Sequence, residues 1–306
     1  MNFKNAEKIV NMPLEKVLLL AAEARREGVG SKIEPCSIIN AKSGVCSEDC
    51  KFCAQSSHYN TEISAYSLRS CEEIVKAGHS AEKHGAKRFG IVTSGRRLSF
   101  HELELVADAV KIICKDTGIS VCASLGALNK NDLVMLKQAG LSRYHHNIET
   151  SERFFPNIVT THDYKERINT ILAAKEAGLE VCSGGIFGIG ESWHDRINMA
   201  LLLDELGAGS IPLNFLIPIK GTPLSQADSV PPFEAIRIIA LFRLMLKHAD
   251  IKVVAGRETI LKDFQGLIHI AGANGIMVGD YLTVPGRSRE EDIALIKEVQ
   301  RLWNEE

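Results

Sequence analysis

Long apolar runs are missing from this sequence of 306 residues. No stretch approaches the roughly 18 consecutive apolar residues of a membrane-spanning helix, so an integral membrane protein is not predicted. The first residues, MNFKNAEK, also lack the apolar centre of a secretory signal peptide. We therefore expect a cytoplasmic protein that has no membrane partner.

An excess of either charge is missing as well. Lys and Arg total 36, Asp and Glu total 38, and the sequence pI is about 6.6. Proteins that bind nucleic acid usually carry a basic patch or stripe, so no nucleic-acid partner is expected. The balanced charge favours a small-molecule substrate.

No low-complexity linker divides the chain, whose 306 residues suit either two domains or one α/β barrel with additions. After two helical segments that end near Arg26, short β-rich runs alternate with helical patterns. The strand-like runs begin near Ile33, Arg88, Ile119, Arg143, Val181, Ile211, Val253 and Ile276. Eight strand and helix units predict an α/β fold, a (β/α)8 TIM-type barrel over residues 31–306 of a single domain 1–306, preceded by N-terminal helices in 1–30. Because the run at Ile276 is short and glycine-rich, an incomplete barrel is the alternative.

Three of the eight cysteines, Cys46, Cys50 and Cys53, follow the first predicted strand with Cys-x3-Cys-x2-Cys spacing. Iron-sulfur clusters are normally held by four thiolates, so three thiolates leave one iron free to bind a small molecule. The alternatives are a zinc site or a disulfide pair. Zinc is disfavoured because it needs four closed ligands and no further Cys or His pair follows at the required spacing.

This spacing resembles that of the radical S-adenosylmethionine enzymes. The resemblance implies a 4Fe-4S cluster whose open iron binds S-adenosylmethionine, and a 5'-deoxyadenosyl radical that abstracts hydrogen from the substrate. It also implies that Phe52 lies beside the adenine. Active sites of such barrels lie at the C-terminal ends of the strands, where this loop is predicted.

Several longer phrases resemble the biotin synthase family over almost the whole chain. They are NAKSGVCSEDCKFCAQ (40–55), YHHNIETS (144–151), VCSGGIFGIGE (181–191), AGRE (255–258) and AGAN (271–274). The resemblance implies a transferase that inserts sulfur between C6 and C9 of dethiobiotin. It further implies an auxiliary iron-sulfur cluster as the sulfur donor, a reducing partner such as flavodoxin or ferredoxin, and a homodimer.

The auxiliary cluster's usual ligands are matched only in part. Cys122, Cys182 and Arg257 match three of the family's four ligands, but Gly90 stands where the fourth, a cysteine, is usual. We interpret Cys36, on the first strand, as the replacement. The remaining cysteines, Cys71 and Cys114, lie in helical patterns and are interpreted as packing residues.

This ligand set fits either of two types of auxiliary cluster. Three thiolates together with Arg257 could hold a 2Fe-2S cluster, or the three thiolates could hold a four-iron cluster that carries the transferable sulfide. We prefer the larger cluster because a relocated ligand changes the spacing of the site.

The resemblance also implies a set of contacts to S-adenosylmethionine. Asn147 and Glu149 would bind the ribose hydroxyls, since a carboxylate accepts hydrogen bonds from a vicinal diol. Arg167 would pair with the methionyl carboxylate. Gly184 and Gly185 would let the backbone approach the cofactor closely. The alternatives are a solvated acid at Glu149 and an exposed helical arginine at Arg167.

Three residues are implied for dethiobiotin. Asn214 would bind the ureido ring, because an amide offers both a donor and an acceptor. His145 stands where a second asparagine is usual in the family, and a satisfied core histidine is its alternative interpretation. Thr283 would meet the substrate carboxylate.

Two other functions remain open at the level of sequence. One is a related radical S-adenosylmethionine enzyme that matures another cofactor. The other is a non-catalytic iron-sulfur protein of electron transfer, although such proteins usually close every cluster site with cysteine.

Overall fold

The structure, a computed structural model, describes residues 1–279, 281–283 and 286–304. Parallel strands form a closed barrel in the order β5-β4-β3-β2-β1-β9-β8-β7-β6, with β5 also paired to β7. The strands are β1 (Glu34–Lys42), β2 (Arg88–Thr93), β3 (Ser120–Ser124), β4 (Arg143–His145), β5 (Glu180–Cys182), β6 (Gly185–Phe187), β7 (Ser210–Phe215), β8 (Asp250–Val253) and β9 (Gly275–Met277). Since β5 and β6 share one wall position, the predicted (β/α)8 TIM-type barrel is confirmed.

Helices surround this barrel. They are α1 (Phe3–Val10), α2 (Leu14–Val29), α3 (Cys71–Lys83), α4 (Phe100–Asp116), α5 (Lys130–Gln138), α6 (Tyr164–Glu176), α7 (Trp193–Glu205), α8 (Pro232–Met245), α9 (Arg257–Leu261), α10 (Leu267–Ile270) and α11 (Arg289–Asn304). Helices α1 and α2 form the predicted N-terminal extension and pack against α7 and α8. Among the described residues, no helix has the length and apolarity to span a membrane.

Local sequence explains where several of these helices begin. Ser70, Ser99, Asn129 and Ser192 each form a capping box with an acidic residue three positions later. The side chain at each cap satisfies a backbone N–H that has no partner within the helix, which fixes the first turn.

One strand boundary was predicted wrongly. The seventh strand-like run was expected to begin near Val253, whereas β8 ends at that residue and begins at Asp250. Asp250 and Lys252 are buried inside the wall. Because they are charged, the apolar pattern that marks a strand does not include the first residues of β8.

Inward side chains of the barrel lie in layers that alternate strands supply. Cys36 pairs with Arg88 of β2, which pairs in turn with Ser120 of β3, and Cys122 lies two residues after Ser120. The same step across two strands leads from Cys122 to Cys182 and from Cys182 to Lys252. We call Cys36, Cys122, Cys182 and Lys252 the thiol layer. The same register defines an arginine layer beneath it (Arg88, Arg143, Ser210 and Gly275) and an acid layer at the N-terminal end (Glu34, Ser120, Glu180 and Asp250).

Candidate active site

A cavity of about 410 Å³ occupies the barrel interior. Phe52 and Cys53 of the cysteine loop line it, and so do Asn147 and Glu149, which follow β4. The thiol layer also lines it. One cavity therefore reaches from the loop beyond the C-terminal end of β1 to a layer near the N-terminal end of the barrel.

The cysteine loop folds back on itself just after β1. The N–H of Cys46 donates to the Gln55 carbonyl at 2.9 Å, and the N–H of Cys53 donates to the Cys50 carbonyl at 2.9 Å. Burial and the neighbouring thiols raise the pKa of Cys50, and burial together with Cys46 raises the pKa of Cys53 to about 11. A bound cation would relieve this repulsion, so the donor set suits a metal cluster.

Two acidic residues between Cys46 and Cys50 bind the segment before α6 and so hold the loop against it. The sequence interpretation missed this role. Asp49 accepts hydrogen bonds from the N–H groups of Thr160 at 2.8 Å and Thr161 at 3.2 Å. Glu48 accepts from the hydroxyl of Thr161 at 2.6 Å and lies 2.5 Å from Nδ1 of His162. Burial raises the pKa of Asp49, but these hydrogen bonds outweigh it and lower the pKa to about 2. The two adjacent acidic residues inside the cysteine motif were the sequence signal that could have predicted this attachment.

Glu149, Asn147 and Arg167 form one group beside the cavity. The Arg167 side chain is only 11% exposed, and its Nη1 lies 3.5 Å from Glu149 Oε1. Asn147 donates to Glu149 Oε2 at 3.3 Å. The backbone of Glu149 has a φ of 65°, a strained conformation for a residue other than glycine, of the kind found at functional sites. Arg167 is thus mostly covered and paired, and it does not lie exposed on its helix.

Gly184 and Gly185 lie at the break between β5 and β6, but they do not line the cavity. A Cβ at Gly184 would lie 2.0 Å from the Pro212 carbonyl oxygen, and one at Gly185 would lie 2.1 Å from that of Glu149. The close approach is therefore to the protein backbone. In this structure the two glycines make room for the barrel wall, and their predicted approach to the cofactor stays a prediction.

The thiol layer places Cys36, Cys122 and Cys182 around the same end of the cavity. Lys252 Nζ donates to Cys36 Sγ at 2.9 Å, and His145 Nδ1 lies 3.3 Å from Cys182 Sγ. Burial raises the pKa of Cys36, and it raises that of Cys122 to about 12. Burial also opposes ionisation of Cys182, but His145, Lys252 and Arg143 outweigh it and lower the Cys182 pKa to about 6.

Gly90 lies on β2, where it pairs with Ile38 of β1 and with Cys122 of β3, and it lines the cavity. A Cβ at this position would be 3.3 Å from Cys122 Sγ and 3.0 Å from Ile38 Cγ2. The Cys122 thiol therefore fills the space beside Gly90, and the structure brings Cys36 into the same layer as Cys122 and Cys182.

Arg257 does not join this layer, so the structure does not bring it together with the three thiols as its prediction as a cluster ligand requires. It begins α9, after β8, and does not line the cavity. Its guanidinium donates to Asp292 Oδ1 at 2.8 Å, Gln265 Oε1 at 2.7 Å and Glu258 Oε1 at 2.9 Å. The fourth position of the thiol layer belongs to Lys252, a residue that sequence interpretation missed; its signal was a lysine at an inward position of an apolar run.

The predicted substrate residues lie along the cavity wall. Asn214 donates to the Gly185 carbonyl at 3.1 Å and accepts from the Ala255 N–H at 3.3 Å, which leaves one amide N–H and one lone pair for a ligand. His145 and Thr283 also line the cavity. The residues that follow Thr283, Val284 and Pro285, lie outside the described residues.

Two protein families match consecutive parts of this chain. Residues 41–203 match the Radical SAM superfamily, and residues 212–300 match the Biotin and Thiamin Synthesis associated domain. A biotin synthase of Pelotomaculum thermopropionicum is 48% identical over 287 residues, which are 94% of this chain and 89% of that protein. One from Thermotoga petrophila is 49% identical over 297 residues, which are 97% of this chain and 98% of that protein. The chain belongs to the biotin synthase family.

Solved structures of lower identity share the fold of this biotin synthase family member. A methylornithine synthase (PylB) matches with a TM-score of 0.81 at 18% identity, over 98% of this chain and 92% of that one. The FeFe-hydrogenase maturase HydG from Carboxydothermus hydrogenoformans matches with a TM-score of 0.83 at 17% identity, over 97% of this chain and 74% of that one. These matches confirm the barrel.

The biotin synthase family implies S-adenosylmethionine and a 4Fe-4S cluster, and the loop of this chain fits them. Three thiols stand in the loop, and Phe52 and Glu149 line the adjacent cavity. Among the described residues, no group of three His, Cys, Asp or Glu side chains is gathered tightly enough for a single metal ion. A cluster needs thiolates spaced more widely than a single ion does, so the assignment follows from the donor set and the family.

Proposed function

We propose that this chain converts dethiobiotin to biotin by inserting sulfur between C6 and C9. One observation carries the proposal: a single cavity touches both the cysteine loop and the thiol layer. From Cys36 to the end of β1 at Lys42 there are six residues, or ~20 Å along the strand at about 3.3 Å per residue. A small substrate between the two sets of thiols would face a radical source on one side and a sulfur source on the other.

Cys46, Cys50 and Cys53 would hold the 4Fe-4S cluster. Together with S-adenosylmethionine, this cluster supplies the reducing electron and the carbon radical that removes hydrogen from the substrate. Glu149 is oriented by Asn147 to accept hydrogen bonds from the ribose hydroxyls. Arg167 neutralises Glu149 and limits the number of charges left unpaired beside the cavity.

Asn214 and His145 would hold the ureido ring of dethiobiotin. The two hydrogen bonds from Asn214 to the barrel backbone fix the orientation of its amide, so the remaining donor and acceptor face the ligand in a set geometry. Ile38, Ile186 and Leu216 supply apolar wall to the cavity. Such a wall excludes water from a reactive carbon radical.

Cys36, Cys122 and Cys182 would hold the auxiliary cluster, whose sulfide supplies the inserted sulfur. Lys252 replaces Arg257 in this interpretation, and as an ammonium it contributes positive charge rather than a metal bond. Three thiolates around one end of the cavity favour the four-iron form. We expect iron and sulfide analysis to give about eight irons per chain, the sum of two four-iron clusters. A result of only two auxiliary irons would exclude the larger cluster.

The electron donor and the oligomer belong to the same proposal. We infer a small reducing protein such as flavodoxin or ferredoxin as the donor, and a homodimer. Cytoplasmic localisation stays a prediction.

The experiment that tests the function is anaerobic reconstitution with iron and sulfide, followed by addition of S-adenosylmethionine, a reductant and dethiobiotin. We expect biotin together with 5'-deoxyadenosine from the wild type. Cys36→Ala should still form 5'-deoxyadenosine but no biotin, because it retains the loop cluster and loses a ligand of the thiol layer.

The matched control is Cys114→Ala, which alters an exposed cysteine of α4 and should leave both products unchanged. Formation of 5'-deoxyadenosine without biotin in the wild type would favour a maturation enzyme with another substrate. A cluster-loaded protein that forms neither product would favour electron transfer.

A further inference from the structure

The thiol layer lies much closer to the N-terminal end of the barrel than to the mouth of the cavity. Cys36 is two residues from Glu34, the first residue of β1, and six residues from Lys42, the last. These separations correspond to about 7 Å and about 20 Å along the strand. The shorter path from solvent to these thiols therefore crosses the arginine and acid layers.

A few ion pairs close this shorter path. Glu180 pairs with Arg143 at 2.9 Å and with Arg88 at 3.7 Å. The Glu180 side chain is 58% exposed, whereas those of Arg143 and Arg88 are 6% and 9% exposed. Both arginines line the cavity. Glu180 thus touches solvent on one side and cavity-lining cations on the other.

Other partners hold the arginines in place without Glu180. Arg88 and Arg143 bind Glu34 Oε1 at 3.2 Å and 3.1 Å, and Arg143 also lies 3.6 Å from Asp250. Solvent competes for the Glu180 carboxylate, which is 58% exposed, and this weakens both of its ion pairs. Glu180 can therefore swing into solvent while the arginines stay where they are.

The charge of this region selects for anions. Before the thiols are counted, four cations, Lys32, Arg88, Arg143 and Lys252, face three carboxylates, Glu34, Glu180 and Asp250, an excess of one positive charge. When Glu180 moves away, this excess becomes two. Positive charge in a low-dielectric passage raises the local concentration of small anions and repels metal cations.

We propose that hydrosulfide reaches the thiol layer through the N-terminal end of the barrel, past Glu180, and replaces the sulfide that the auxiliary cluster donates. The inference rests on the proposed function, because it requires an auxiliary cluster in the thiol layer. Hydrosulfide fills the vacated position, forms the Fe–S bonds and releases its proton to solvent, so its sulfur stays at the sulfide level in this step. The two electrons that the two C–S bonds leave on the auxiliary irons return to the one-electron carrier protein of the proposed function. Sulfide can then return while S-adenosylmethionine and dethiobiotin fill the cavity from its other end.

The test measures isotope exchange rather than catalysis. The cluster-loaded chain is saturated with S-adenosylmethionine and dethiobiotin, without reductant, and then given ³⁴S-enriched sodium sulfide. Mass spectrometry of acid-released sulfide gives the exchange rate, and iron analysis gives the cluster content. Wild type is compared with Glu180→Gln and Glu180→Lys. The matched control is Glu176→Gln, which alters an exposed, ion-paired glutamate of α6.

We expect exchange in Glu180→Gln to be on the order of tenfold faster than in wild type. Glu180→Lys should be faster still, since it adds a cation beside Arg143. The control should match wild type, and the bound ligands should slow none of the rates. Equal rates in all four proteins, or exchange that stops when the ligands bind, would overturn the inference and leave the proposed function intact. Iron analysis that finds only the loop cluster would overturn both.

Discussion

Lys252 and Arg257 are five residues apart but have different surroundings. Lys252 lies on β8 and binds Cys36 in the cavity, whereas Arg257 follows the strand and binds Asp292. Motif matching selected Arg257, but the alternation of side chains along a strand selects Lys252. The position of a cation relative to the strand end therefore decides which group meets a cluster.

Replacing Lys252 should weaken the auxiliary cluster selectively. We expect Lys252→Met to lose auxiliary iron to a chelator about 10-fold to 100-fold faster than wild type, because groups beside metal ligands tune affinity by that factor. Lys252→Arg should restore most of the retention, since it restores the charge. Timed iron release measures the effect.

The control for this experiment is Lys32→Met, which removes a half-exposed cation paired with Asp250. Equal iron release from Lys252→Met and Lys32→Met would show that Lys252 has no particular role at the thiol layer.

Replacing Asp49 should loosen the cysteine loop. Asp49→Ala removes the acceptor for the N–H groups of Thr160 and Thr161, and a typical intramolecular hydrogen bond contributes about 0.5–1.5 kcal/mol. We expect lower 5'-deoxyadenosine formation and loss of the loop cluster, with the auxiliary iron retained. Visible absorption and product analysis measure the two effects. Asp108→Asn, in an exposed pair with Lys111, is the control and should change neither.

Much of the site was predictable at this scale because metal-ligand spacing is local. Phe52, Cys53, Asn147 and Glu149, all named from the sequence, line one cavity. The contacts of Lys252 and Glu48 were not predictable, since they join elements far apart in sequence. At Gly184 and Gly185 the sequence indicates a close approach without indicating which group approaches.

At the scale of elements, the capping box of α7 does more than begin a helix. Asp195 accepts hydrogen bonds from Ser192 and from Ser151, and it pairs with Arg153. Burial raises the Asp195 pKa, but these partners outweigh it and lower the pKa from 3.8 to about 2. One carboxylate thus joins α7 to the segment after β4.

This carboxylate predicts a pH dependence of stability. A lowered pKa in the folded state stabilises the protein above the ordinary pKa, and the contribution is lost as pH falls from about 4 towards 2. We expect Asp195→Asn to lower stability by about 1–2 kcal/mol at pH 7 and by much less near pH 2. Urea midpoints at the two pH values measure this. Asp204→Asn, near the other end of α7, should show no such difference.

The predicted elements agree with the structure wherever apolar residues dominate the strands. The run at Ile276 does form β9, which closes the barrel against β1 and β8. The start of β8 was misplaced because Asp250 and Lys252 are polar, and their burial depends on partners in other strands. Periodicity detects burial but not the ion pairs that permit it.

At the scale of the whole molecule, ligand binding should stabilise the cluster-loaded chain. Ligands that bind only the folded state raise the free energy of unfolding by about 2.7 kcal/mol at a concentration of 100 times Kd. We expect S-adenosylmethionine to raise the anaerobic melting temperature of wild type, and to raise that of Glu149→Gln by less. Dethiobiotin should stabilise both equally in the presence of saturating S-adenosylmethionine. An equal response to S-adenosylmethionine would show that Glu149 does not contact it.

Closure of the barrel also has a consequence for biosynthesis. Cys36 and Lys252, partners in the thiol layer, are separated by 216 residues, so about 11–43 seconds pass between their emergence at 5–20 residues per second. The pair of Arg257 and Asp292 is completed later still in synthesis, because Asp292 lies 35 residues after Arg257. Through this interval the nascent chain presents open thiols without the barrel that encloses them. Cluster loading at the thiol layer should therefore follow release from the ribosome, and a chain stalled before β9 should carry no auxiliary iron.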